Sequence, residues 1–159
     1  MSTMTQTIMA PWRNSTILTA YNVAFSAAGL PTLDTVYGIQ AHEVLLADIA
    51  VTKLPAMSAH PIERRRSDYY TCQNLNIRWV VRVRLAFCDV SPVDIWDLGG
   101  TYCDCIRAVA TTQFQSSLAL FKWLADDPVG DLYRPDEHLS TRTVTTDFEF
   151  VVPQLGTTA

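Results

Sequence analysis

The stretch Cys103-Asp104-Cys105 comes nearest to a metal-binding motif, with two thiols and a carboxylate in three residues. Zinc sites normally join two cysteine or histidine pairs of wider spacing. Here the remaining cysteines, Cys72 and Cys88, stand apart. On a helix, side chains two positions apart diverge by about 200°, so the two thiols are read as small packed hydrophobes, reduced in a chain made in the cytoplasm. His42, His60 and His138 fall in three separate contexts, none at metal spacing with another ligand. No His-Glu-x-x-His, no Gly-x-Ser-x-Gly elbow, no phosphate-cradling glycine loop and no dinucleotide fingerprint occurs. Asp126-Asp127 and Asp136-Glu137 are adjacent carboxylates, but beside Pro128 and Pro135 such pairs usually cap or turn the chain. The expectation is a protein that is not an enzyme, with no cofactor and no metal.

The arginines are more informative. In NIRWVVRVRLAF, residues 76–87, one alternating set is Ile77, Trp79, Val81, Val83, Leu85 and Phe87. The other carries Arg78, Arg82 and Arg84. That period of two marks a strand with one greasy face and one cationic face. A second strand, TRTVTTDFEFVV at 141–152, puts Val144, Thr146, Phe148, Phe150 and Val152 on one face and Thr143, Thr145, Asp147, Glu149 and Val151 on the other. If the two are neighbours, the arginines share a face with Asp147 and Glu149. Three uses of that face stay open: ordinary cross-strand ion pairs, each contributing about 0.2–1 kcal/mol; a contact between subunits, where both charge signs fix register; or contact with nucleic acid, which the neighbouring acids oppose and for which no aromatics alternate with the arginines. Arg64-Arg65-Arg66 form a separate basic run beside Tyr69 and Tyr70. They are read either as solvated charges or as contacts to an acidic partner or a DNA backbone.

The elements around these residues follow from spacing. Ile17, Leu18, Tyr21, Phe25 and Ala28 predict a helix over about 15–28, closed by Gly29 and Pro31. A short helix or strand is expected near 42–50, and a strand over 54–61 ended by Pro61. Residues 62–74 read as a mobile hairpin-like loop. Ser91 and Pro92 open a helix from Val93 to about Gln113, with Gly99-Gly100 marking a kink or a close backbone contact. A further helical piece over 117–127, stopped by Pro128, and an irregular loop over 129–140 complete the pattern. The fold class is α+β: a small antiparallel sheet with helices packed on its apolar face. Residues 1–13 read as a flexible arm, 14–152 as a single domain and 153–159 as a tail.

A chain of 159 residues, 48% hydrophobic, can bury roughly 70% of its unfolded surface without staples. A charged fraction of only 18% leaves room for sticky surface and self-association. Net charge −4 argues against a general nucleic-acid binder, which relies on neutralising phosphates. No apolar run approaches the ~20 residues of a membrane-spanning helix, and MSTMTQTIMAPW lacks the features of a secretory signal.

LPAMSAHP (54–61), IRWVVRVRLAF (77–87), WLADDPVGDL (123–132) and TRTVTTDFEFVV (141–152), in that order after a capped helix, resemble the tail-terminator or tail-completion proteins of long-tailed bacteriophages. The resemblance spans about 14–152 through pattern, not an invariant motif. It implies a small α+β protomer forming a six-membered ring at the head-proximal end of the tail tube. Such a ring stops tube growth and joins the tube to the neck. The implied partners are copies of itself, the tail-tube protein and a neck or connector protein, with DNA only as passing cargo and no membrane. The implied location is the virion, assembled in the host cytoplasm. Arg64, Arg65 and Arg66 would meet the tube or neck, and Arg78, Arg82, Arg84, Asp147 and Glu149 are candidates for ring contacts. The alternatives are another neck or head–tail connector protein, or a nucleic-acid-binding accessory domain using residues 64–66.

Overall fold

The computed structural model describes residues 10–12, 15–33, 39–40, 51–66, 74–89, 95–115, 120–136 and 139–155. It contains helices α1 (Ala10–Trp12), α2 (Ser15–Ala27) and α3 (Ile95–Gln115), and strands β1 (Ile39–Gln40), β2 (Ala56–Arg66), β3 (Asn74–Asp89), β4 (Leu120–Asp136) and β5 (Leu139–Leu155). The sheet order is β1-β2-β3-β5-β4. Each of the four long strands is antiparallel to its neighbours, and β1 adds two residues in parallel beside Met57 and Ser58. The fold is α+β, as the alternation of the two long strands predicts.

Helix α2 buries Ile17, Tyr21 and Phe25, three residues at four-residue spacing. It ends where the sequence places its stop. Gly29 takes φ +73°, and the Leu30 N–H donates to the Phe25 carbonyl at 2.8 Å, the closing bond of a left-handed glycine cap. The next residues are pinned back onto the helix, since the Asn22 amide donates to the Leu33 carbonyl and accepts from the Leu33 N–H.

Helix α3 lies against β4, β5 and α2. Its first turns come so close to β4 that a Cβ on Gly99 would sit 2.3 Å from the Pro128 carbonyl oxygen. The glycine pair therefore marks a close backbone contact, which is Gly99's alone: a Cβ on Gly100 meets nothing within 4 Å. Between helices and sheet lies an aromatic core. Phe114 packs edge-on to Phe150 with ring centroids 5.0 Å apart, Phe25 packs edge-on to Tyr102 at 5.0 Å, and Phe121 stacks on Phe148 at 5.3 Å. Trp12, 1% exposed, fills the space beside Phe114 and Phe148. The segment expected to be an arm thus contributes a core side chain at its end.

Four expectations are corrected. Residues 120–127 are strand, not helix: Phe121 and Trp123 alternate with Lys122 and pair with Phe150, Phe148 and Glu149 of β5. The run is rich in helix formers, but β5 gains a partner strand and a core contact, and such tertiary gains outweigh propensity. Residues 131–136, expected in a loop, continue the same strand past a register shift at Asp127/Asp131. The strand at 54–61 does not stop at Pro61 but runs on to Arg66 past a shift at Pro61/Glu63, because a proline is tolerated where a strand lies at an edge or bulge. Residues 62–66 are therefore strand and not the start of a loop. Asn74, the last residue of the expected loop, already belongs to β3, while the expected element at 42–50, the Ser91-Pro92 helix start and residues 67–73 lie outside the described residues.

Candidate functional site

The face of the sheet away from the helices carries the arginines, as the alternation predicts. In the β3/β5 register Arg82 stands opposite Asp147, Arg84 opposite Thr145, and Val80 opposite Glu149. Arg82 grips Asp147 with two bonds: Nε donates to Oδ1 at 2.8 Å and Nη2 to Oδ2 at 2.7 Å. The Asp147 hydrogen bond holds the Arg82 guanidinium above its ordinary pKa, burial opposes this, and Asp147 and Asp127 add electrostatic support. Arg78 reaches Glu149 diagonally at 3.8 Å, with 42% of the arginine side chain exposed. This second pair is wet and loose, in the class worth least. Arg84 is half-buried between the register positions of Ser58 and Thr145. The five residues nominated for ring contact thus share one face, and at least two arginines on it already face carboxylates of the same chain.

The basic run behaves differently. Arg64 lies opposite Trp79, its guanidinium 5.4 Å from the ring centroid. That is a cation–π contact, worth about 0.5–1 kcal/mol at an exposed site. Arg65 and Arg66 take register positions opposite Arg78 and Ile77. All three arginines thus lie in a strand and not in the loop expected from the sequence.

One cluster was not foreseen. Arg107 on α3 ion-pairs with Asp104 one turn back and with Asp126 on β4 at 3.1 Å, and lies 4.9 Å from the Trp123 ring centroid. The Trp123 Nε1–H donates to the other Asp126 oxygen at 2.9 Å. This clamp joins helix to edge strand. Asp127 accepts the Val129 N–H at 3.2 Å, so the Asp126-Asp127 pair holds and turns the chain. Arg142, 7% exposed, donates to the Val129 carbonyl and fixes the same bulge from beneath. The only advance signal was the spacing of Asp104 and Arg107; their meeting with β4 depends on a strand read as a helix.

The thiols diverge as helical geometry requires. Cys103 is buried, its sulfur 3.9 Å from the Thr145 carbonyl; burial pushes its pKa up to about 11, the Thr146 side chain opposes this, and Asp126, Asp104 and Asp127 add to the rise. Cys105 points the other way, 3.8 Å from the Ala24 carbonyl, and its pKa is also raised, chiefly by burial. Neither is a poised nucleophile, since reactivity belongs to the thiolate. Among the described residues no three His, Cys, Asp or Glu side chains gather as metal ligands, and no helix is long and apolar enough to cross a membrane. His60 is buried on β2 opposite Arg82, while His42, His138 and Glu137 lie outside the described residues.

The large apolar side chains left exposed among the described residues lie mostly on one edge. Val23, Ile62, Trp123, Leu124 and Val129 are the large hydrophobics left open to solvent among the described residues, and the last three belong to β4. No protein-family profile matches the chain, and no curated protein is significantly similar to it.

Proposed function

We propose that this protein is a structural component of a phage tail: a tail terminator whose copies form a ring on the head-proximal end of the tail tube and join it to the neck. The observation that carries the reading is the edge strand β4, which leaves Trp123, Leu124 and Val129 between 38% and 50% exposed. A long edge strand with apolar side chains in water invites another chain to cover it. The helices seal one face of the sheet and carboxylates of the same chain engage Arg78 and Arg82 on the other, so assembly through the sheet edges leaves the protomer's interior untouched.

The reading is of a non-catalytic protein without a cofactor. Its buried thiols and its carboxylates serve packing and clamping, and the arginines that a nucleic-acid partner would need are partly neutralised by Asp147 and Glu149. The test is electron microscopy of phage tail tubes assembled from a purified tail-tube protein, with and without this chain. The reading predicts a ring at one end of each tube and arrested growth at that end. Tubes that elongate unchanged, with no added density at either end, would overturn it.

A further inference from the structure

The two edges of the sheet are built alike at one height. A row of register partners crosses it from Pro61 on β2 through Val81 and Phe148 to Trp123 on β4. The adjoining row runs from Glu63 through Val80 and Glu149 to Lys122. At this height each edge strand carries a bulge: the register shifts between Pro61 and Glu63 on β2 and between Trp123 and Ala125 on β4. The extra residues in the two bulges are Ile62 and Leu124. Both are hydrophobic and both are open to solvent, 42% and 38% exposed, with Trp123 beside Leu124 at 41%. A bulge re-aims a side chain and is a built feature of an edge, and this sheet re-aims a large apolar side chain outward on both sides of one row.

From these positions we infer that successive copies of this chain dock head to tail, the β2 edge of one copy against the β4 edge of the next, with Ile62 seated against Trp123 and Leu124. The inference rests on the ring reading and names its contact. Three features commit the site to a second copy. Four long strands alternate in direction, an even number, so a copy placed alongside with its strands in the same sense continues the antiparallel order across the junction. At equal height the exposed Lys122 of one copy comes level with Glu63 of the next, an opposite-charge pair that sets the register. The edges also differ in sign as a whole. Strand β2 carries Arg64, Arg65 and Arg66 against Glu63, and β4 carries Asp126, Asp127, Asp131 and Asp136 against Lys122 and Arg134. Among the described residues no strand lies beyond β2 from Ala59 onward, since β1 ends at Gln40, opposite Ser58. Pro61 and the bulges interrupt any continuous backbone ladder, so side chains make the contact. Because the two surfaces differ, the contact is heterologous and generates a ring when the rotation closes.

Two full-length variants, Ile62→Arg and Leu124→Arg, test this in sedimentation velocity, with Val23→Arg on the far surface of α2 as control. All three sites are exposed, and circular dichroism checks that the fold is kept. The wild type and Val23→Arg are expected to sediment as the same oligomer, and each edge variant alone as a monomer. An equimolar mixture of the two edge variants is expected to form a dimer and nothing larger, since one intact β4 edge and one intact β2 edge remain between them. An oligomer of wild-type size in either edge variant, or a mixture that stays monomeric, would overturn the edge contact and leave the ring reading standing. A wild type that is monomeric throughout would overturn both.

Discussion

Arg82 and Asp147 meet across β3 and β5 through two parallel hydrogen bonds of 2.8 and 2.7 Å, so the central arginine of the strand has its counter-charge within the same sheet. A charged hydrogen bond contributes about 1.5–3 kcal/mol when shielded. The Arg82 side chain is 32% exposed, so screening lowers the figure. Asp147→Asn is predicted to lower stability by about 1–2 kcal/mol in urea unfolding. Glu149→Gln, which loses only the 3.8 Å contact with Arg78, should cost less than about 0.5 kcal/mol. Equal losses at the two positions would contradict this ranking.

The two adjacent glycines of α3 should respond oppositely to alanine. Gly100→Ala meets open space and gains helix propensity, raising stability by about 0.5–1 kcal/mol. Gly99→Ala drives a methyl group into the Pro128 carbonyl and forces helix and strand apart, so it is predicted to lose about 1–3 kcal/mol. Thermal unfolding midpoints measured side by side decide the matter.

Two buried tyrosines differ in what their hydroxyls find. Tyr102 donates to the Pro31 carbonyl at 3.2 Å, whereas the Tyr21 hydroxyl is buried without a hydrogen-bond partner among the described residues. A buried hydroxyl left unmade is a cost, so Tyr21→Phe should be neutral or stabilise by up to about 1 kcal/mol, while Tyr102→Phe should lose about 1 kcal/mol. Denaturant midpoints at unchanged slope would show it.

Alkaline pH should expose the burial of Cys103. The unfolded thiol titrates near 9.0 and the folded one near 11. Between those values the folded chain holds the proton that the unfolded chain has released, so the unfolded state binds fewer protons and stability falls as pH rises. The contribution is intact below pH 9 and lost on the way to 11. The stability difference between wild type and Cys103→Ala should therefore narrow across that window and be flat between pH 6 and 8 in the same unfolding assay.

Much of this architecture is legible because strands β3 and β5 show their faces with a period of two, and a face pattern shared by two strands predicts that they lie in one layer. Helix α2 is legible for the same reason, through Ile17, Tyr21 and Phe25 and the Gly29 stop. Strand β4 was not. Its residues Leu120 to Ala125 alternate weakly and favour helix one by one, and only the long-range pairing with β5 turns them into an edge. The same misreading hid the Arg107–Asp126–Trp123 clamp, whose members lie on different elements. It also hid the bulge on β4, as the loop expected after Pro61 hid the one on β2, because a bulge is a relation between strands and leaves no mark on the spacing of one. Of the candidate site, the Arg82–Asp147 and Arg78–Glu149 pairs were within reach of sequence, whereas the exposed apolar residues at the edges were not.

The central claim is that this chain works as a closed assembly of identical copies. Native mass spectrometry of the purified full-length protein over a range of concentrations tests it most directly. A single closed species, six chains by the resemblance to tail terminators, with no ladder of larger sizes, is the predicted result. A monomer at every concentration, or an open-ended ladder that never stops at one number, would contradict it.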